Sequence, residues 1–207
     1  MINMKEQTTE EKILEAAEKE FLQRGFESAR TTSIAKEAGV THAMLHYYFR
    51  TKEKLFEEII SDKMSMLGEL MLDSLTKSSL PLFDKLQEAI IRHLDFISAN
   101  SNLPLFFIRE VYSNPERMRL MATALQTHAK KSICNLQAEI DELAERGECR
   151  RVDATMLLID IVSLNILSFI AQPVMEVVFS DLFSDKERFL ELRKRENTDT
   201  IMRKLKI

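Results

Sequence analysis

Apolar residues recur at steps of three and four along nearly the whole chain, the spacing that gathers them on one face of a helix. In TTEEKILEAAEKEFLQRGF they fall at Ile13, Leu14, Ala17, Phe21 and Leu22. Thr8 and Glu11 have capping-box spacing ahead of that run, and Gly25 follows it as a C-terminal stop. TTSIAKEAGV predicts a short second helix with Ile34, Ala35 and Ala38 inward, ended by Gly39. A third begins almost at once with Thr41 as N-cap. RTKEKLFEEIISDKMSMLGELMLDSL reads as a long fourth helix capped by Thr51, with Gly68 as a point of flexure. Beyond a break at Ser78–Ser79 the pattern predicts helices from about Pro81 to Asn100 and from Pro104 to Tyr112. A longer one opens at Asn114 with Pro115 in its first position and ends near Gly147. Asp153 caps a strongly apolar segment, and a last helix starts near Asp185. No strand-like alternation of useful length, repeat or low-complexity tract interrupts this order, so the expected fold class is all-α.

Composition agrees with that pattern. Only 4 glycines and 4 prolines occur in 207 residues, well below average usage. The net charge is −4, with a pI near 5.7, which argues against a chain that coats nucleic acid along its whole surface. A local field is another matter. Between Arg24 and Lys54 six basic residues (Arg24, Arg30, Lys36, Arg50, Lys52, Lys54) stand against three acidic ones (Glu27, Glu37, Glu53). Cys134 and Cys149 have neither metal-ligand spacing nor a disulfide framework and read as reduced thiols. MINMKEQTTEEK has no apolar h-region, so secretion is not expected. Residues 156–179 are the most membrane-like stretch, yet Asp160, Asn165, Gln172, Pro173 and Glu176 interrupt it. A spanning helix wants about 20 predominantly apolar residues. The segment is therefore expected to be one helix buried between protein surfaces, in a cytoplasmic protein without a membrane partner.

A short helix, a glycine-bearing turn and a second short helix form the helix-turn-helix arrangement. Small Ala35 permits close packing, and Gly39 supplies the turn. The second helix then projects outward, with Thr41, His42 and Ala43 placed to enter a major groove and His46 and Tyr47 about one turn further on. Tyr48 and Lys52 suit the flanking phosphates.

TTSIAKEAGVTHAMLHYYFRTKEKLF resembles the N-terminal DNA-binding region of TetR-family transcriptional regulators. Ile34, Ala35, Ala38, Gly39, Val40, Thr41, Leu45, Tyr48, Phe49, Lys52 and Leu55 carry the match, which spans about residues 8 to 60. One departure is His46, where the family most often has tyrosine. The resemblance implies a three-helix DNA-binding domain over 8–55 and a larger helical ligand-binding and dimerisation domain over 56–207. It implies DNA contacts from Arg30, Thr31, Thr32, Thr41, His42, Ala43, His46, Tyr47, Tyr48 and Lys52. It further implies a homodimer on a palindromic double-stranded DNA operator, released by a small-molecule effector, most often as a repressor.

Other readings of the same residues exist. His42 and His46 lie four apart on one helical face and have the spacing to share Zn²⁺. Ala43, however, stands where an H-E-x-x-H protease has its glutamate, and no third ligand is evident nearby. Tyr47 alternatively packs beneath the recognition helix. In the larger part, Met64, Phe96, Phe106, Phe107, Met118, Met121 and Met175 are pocket candidates whose bland alternative is ordinary core. His93, Gln126, His128 and Asn165 are more telling if buried, because a buried polar group needs a partner. The ligand set expected from these is Met64, His93, Phe96, Phe106, Phe107, Met121 and Asn165. MLLIDIVSLNILSFI is apolar nearly all round, which predicts burial on two sides, one against its own core and the other against a partner subunit touched through Ile166 and Phe169, the alternative being a central helix of a monomer. The competing class is a small helical enzyme or metal-binding protein with a similar N-terminus. No Ser/His/Asp set, paired-carboxylate site, phosphate loop or cysteine cluster supports it, and no cofactor is expected.

Overall fold

The computed structural model describes residues 7–76 and 79–207, apart from the side chains of residues 71–74, 76, 111, 127, 128 and 131. Among the described residues every regular element is a helix: α1 (Thr9–Ser28), α2 (Thr31–Glu37), α3 (His42–Phe49), α4 (Lys52–Thr76), α5 (Leu82–Ala99), α6 (Leu103–Ser113), α7 (Pro115–Glu145), α8 (Ala154–Ile170), α9 (Gln172–Val178), α10 (Ser180–Phe183) and α11 (Lys186–Leu205). The all-α expectation holds. Ser78 of the expected break and the His128 side chain lie outside the described residues.

At the starts of α1, α3, α4, α7, α8 and α11 a polar side chain satisfies an otherwise unpaired first-turn N–H group. Thr8 Oγ1 accepts from Glu11 N–H at 3.2 Å while the Glu11 carboxylate accepts from Thr8 N–H at 2.8 Å, a complete capping box. Thr51 Oγ1 accepts from Lys54 N–H at 3.1 Å. Asn114, Asp153 and Asp185 do the same for α7, α8 and α11 at 2.8, 2.8 and 3.0 Å. Gly25 ends the first regular run of α1 with φ 73° and ψ 167°, a conformation open essentially to glycine alone, and a further turn follows it. Gly68 stays within α4.

The apolar segment 154–179 is not one helix. α8 stops at Ile170 and α9 leaves at 64° to it. Pro173 is the physical cause: its ring clashes with the carbonyl four residues back and it has no N–H to give, so it is accommodated only in the first turn of a new helix. Among the described residues no single helix is long and apolar enough to cross a membrane.

The chain divides into two units, residues 1–64 with 105–122, and residues 65–104 with 123–207. In the first, α2 packs on both α1 and α3. Its centre is an aromatic cluster in which Phe56 meets Phe21, Phe26 and Phe106 at centroid distances of 5.3, 5.0 and 6.0 Å. In the second, α5, α8 and α11 pack mutually. Leu86, Ile90, Leu136, Ile140, Leu157, Ile161, Ile201 and Leu205 fill its core.

Candidate nucleic-acid interface

α3 is anchored by only two side chains, Leu45 and Phe49, both buried. Four residues apart, they make one narrow stripe on a helix that packs against α2, where Ile34 and Ala35 are also buried. The turn between the helices is closed by Val40 N–H on Ala35 O at 3.0 Å and Gly39 N–H on Lys36 O at 3.2 Å, with Gly39 at φ 68°. Thr41 then caps α3, its Oγ1 accepting from Met44 N–H at 3.2 Å. Thr41, His42, Ala43, Met44, His46, Tyr47 and Tyr48 are consequently all exposed. Tyr47 is 82% exposed, so it does not pack beneath the helix.

Two histidine contacts shape this surface. His42 Nε2 and Thr31 Oγ1 are 3.0 Å apart, tying the start of α3 to the start of α2. His46 Nδ1–H donates to Arg50 O at 2.8 Å, which leaves Nε2 directed away from that bond as an acceptor. The two rings meet edge-on at 4.4 Å. Arg50 terminates α3 at φ 50° and ψ −49°, a strained conformation for a residue with a Cβ. That turn swings the chain into α4. Arg30 and Thr32 are exposed and Thr31 half-buried at the head of α2, beside the same surface. Among the described residues no group of three or more His, Cys, Asp or Glu stands ready to hold a metal.

Lys52 has another occupation than the expected phosphate contact. Its ammonium donates to Phe26 O at 2.9 Å and Ala29 O at 3.2 Å, with Glu27 O at 3.4 Å, and sits 4.5 Å from the centre of the Phe26 ring. These are carbonyls that the break at Gly25 leaves at the end of α1, where a cation is favoured.

The N–H side of the same break is held by residues that sequence reasoning did not single out. Glu110, 2% exposed, accepts from Phe26 N–H at 3.1 Å. Its other oxygen lies 3.1 Å from Arg117 Nε, a charge contact whose hydrogen-bond angle is poor. Arg117 is 8% exposed, lies over the Phe26 ring at 4.5 Å and reaches Glu27 at 3.0 Å. Arg109 completes the clamp with its Nη2 on Phe21 O at 3.3 Å. Glu110 lies 84 positions from Phe26, and no local spacing announces such a pair.

The expected ligand residues fall into both units. Met64, Phe106 and Met121 are buried in the first, Phe106 beside half-buried Phe107 at 5.8 Å. His93, Phe96 and Asn165 are buried in the second. His93 and Asn165 are brought together. Asn165 Nδ2 donates to Ile90 O and to His93 Nδ1, each at 3.0 Å, and Asn197 Nδ2 donates to Asn165 Oδ1 at 2.7 Å. The accepting Nδ1 assigns the ring proton to Nε2, which finds no partner. Burial pushes the imidazole pKa down to about 4, and a protonated ring would set a second N–H against the Asn165 amide. Gln126 is exposed. Phe169 is buried within its own unit, so the uncovered side of α8 is Met156, Ile159, Ser163 and Leu167 instead.

Residues 13–59 match the family described as bacterial regulatory proteins, tetR family. The regulator YdgC of Bacillus subtilis is 41% identical over 59 residues, covering 28% of this chain and 30% of its own. AcrR of Shigella flexneri is 36% identical over 89 residues, 43% of this chain and 41% of its own. The repressor BepR of Brucella suis is 30% identical over 99 residues, 48% of this chain and 47% of its own. The chain thus spans less than half the length of each of these relatives. Two solved structures share the fold over nearly full length. The TetR-family regulator PfmR of Thermus thermophilus has a TM-score of 0.67 at 24% identity, covering 97% of this chain and 98% of its own. FadR of Bacillus subtilis, solved with stearoyl-CoA, has a TM-score of 0.65 at 21% identity, covering 92% of this chain and 96% of its own.

Proposed function

We propose, from the match of residues 13–59 to the tetR family, that the chain is a TetR-family DNA-binding transcriptional regulator with α3 as its recognition helix. The observation that carries the reading is the asymmetry of α3: two buried anchors and an otherwise uncovered surface of Thr41, His42, Ala43, His46 and Tyr47. Such a helix offers hydroxyl, imidazole and methyl groups to base edges, while Arg30, Thr31, Thr32 and Tyr48 stand beside it for the backbone. The relatives compared are regulators rather than enzymes.

The finer reading is a cytoplasmic homodimer that represses from a palindromic operator and releases it when a small effector binds. BepR is named a repressor and FadR was solved with an acyl-CoA, which supports repression and effector control here by analogy. Met156 and Ile159, uncovered and apolar on the N-terminal half of α8, support self-association. Met64, His93, Phe96, Phe106, Phe107, Met121 and Asn165 remain the residues proposed for effector sensing. A gel shift of the purified protein against DNA upstream of its own gene tests the central claim. Retardation that survives excess unrelated DNA is expected, and none at low salt would overturn it.

A further inference from the structure

Between the C-terminal half of α8, the α9–α10 pair and the first half of α11 lies a groove with a volume of about 360 Å³. That is within the roughly 300–1,000 Å³ typical of small-molecule sites. Its walls include Leu164, Leu167, Met175, Phe179 and Phe189, and Arg193 is the one charged residue among its lining. Leu167 and Phe179 are 59% and 56% exposed, a wet apolar rim.

Arg193 is the anomaly in this wall. Its Nη2 donates to Leu164 O at 3.1 Å, a carbonyl that also accepts the Ser168 hydroxyl at 3.5 Å. Nε is buried without an acceptor. Among the described residues no carboxylate forms an ion pair with this guanidinium; Glu196 acts on it only at a distance, and burial pushes its pKa down. A cation partly removed from water without a counter-ion costs free energy, and so does the wet hydrocarbon beside it. An inorganic anion would relieve only the first cost. A neutral hydrocarbon would relieve only the second.

We propose that this groove is a binding site for an anionic amphiphile, a monocarboxylate whose head pairs with Arg193 and whose hydrocarbon chain lies along Leu164, Leu167, Met175, Phe179 and Phe189. Guanidinium is the side chain best shaped for a carboxylate, which it can meet with two parallel N–H bonds. The site is separate from the residues named above for effector sensing.

The test is calorimetric titration of the whole protein with sodium decanoate below its micelle concentration, with decanol and sodium acetate as comparators. Decanoate is expected to bind at one site per chain, decanol about 10-fold more weakly, and acetate without detectable heat. R193Q should lower decanoate affinity about 10-fold and leave decanol unchanged, which separates a lost head-group contact from a misfolded site. Phe179→Glu on the exposed rim should weaken both. Equal affinity for decanoate and decanol, or an unchanged R193Q, would overturn the proposal. So would sedimentation in which Phe179→Glu breaks a dimer while decanoate binding stays intact, since the occupant would then be a second copy of the chain. The gel shift against upstream DNA succeeds or fails independently of every one of these outcomes.

Discussion

Glu110→Ala is the substitution that most directly probes how the DNA-reading unit is held together. The carboxylate is 2% exposed and has two tasks, accepting Phe26 N–H at 3.1 Å and facing Arg117 Nε at 3.1 Å. Arg117 is 8% exposed, and its remaining carboxylate, Glu27, has a side chain that is 76% exposed. Solvent-screened pairs of that kind contribute about 0–1 kcal/mol, so Glu27 does not replace Glu110. Removing one member of a buried pair strands the other, at about 3–5 kcal/mol. Against a total stability of about 5–15 kcal/mol this is a large fraction. Glu110→Gln keeps an oxygen for Phe26 N–H and loses only the charge, so about 1.5–3 kcal/mol is expected. Arg117→Met retains a stem over the Phe26 ring, and the double variant Glu110→Leu with Arg117→Met should be much less damaging than the sum of the singles. Urea denaturation followed by circular dichroism measures all four, together with Glu110→Leu alone, which closes the cycle. A loss below about 1 kcal/mol for Glu110→Ala, or strict additivity in the cycle, would refute the clamp as a coupled unit.

Four further outcomes are expected. Lys52→Met should cost about 1.5–3 kcal/mol in urea by freeing the α1 carbonyls, and leave the salt dependence of DNA binding unchanged; a slope reduced by about 1 at full stability would return Lys52 to the phosphate backbone. His93 has a folded pKa near 4 against an ordinary 6.5, so the unfolded chain takes up the proton first as pH falls. Its contribution is complete above about pH 6.5 and is lost progressively toward pH 4, about 2–3 kcal/mol by then; His93→Gln should flatten that part of the pH profile, and an unchanged slope would exclude this histidine as its source. His42→Ala should relax base preference at a cost of about 1–3 kcal/mol on the preferred site; selection on randomised DNA that returns the wild-type consensus would contradict it. Ile159→Glu, on the uncovered side of α8, should yield folded monomers in sedimentation, and an unaltered dimer would move the interface elsewhere.

What could be read from the sequence is what depends on neighbours a few residues apart. Thr8, Thr41, Asn114, Asp153 and Asp185 each cap the helix they precede, because a cap is a contact between positions two or three apart. The α2–turn–α3 geometry is legible for the same reason. Gly39 sits at φ 68°, and Leu45 and Phe49 make the buried stripe, all within 19 residues of Thr31. Pro173 carried the information needed to break α8 from α9, but the apolar run on both sides of it outweighed one residue in the pattern.

The contacts that escaped are those whose partners are remote. Lys52 looked like a phosphate ligand because it stands at the head of α4, where a lysine suits a backbone contact. Its ammonium instead crosses to carbonyls 23 to 26 positions away. Those carbonyls are free only because Gly25 breaks α1, so the role of Lys52 follows from a glycine far from it in sequence. Glu110 and Arg117 answer the same break from 84 and 90 positions away. One local event, a left-handed glycine, thus leaves an unpaired N–H and several unpaired carbonyls at one helix end. The fold must supply a buried anion for the first and a cation for the second, since leaving either bare costs about 1–3 kcal/mol. Gly25→Ala separates cause from consequence. Arg109 clears the new methyl only by giving up its bond to Phe21 O, a loss that adds to the backbone penalty at φ 73°, about 1–3 kcal/mol. If α1 in that variant instead straightens through the substituted position, Phe26 N–H regains a helical partner, and Glu110→Ala in that background should cost distinctly less than it does alone.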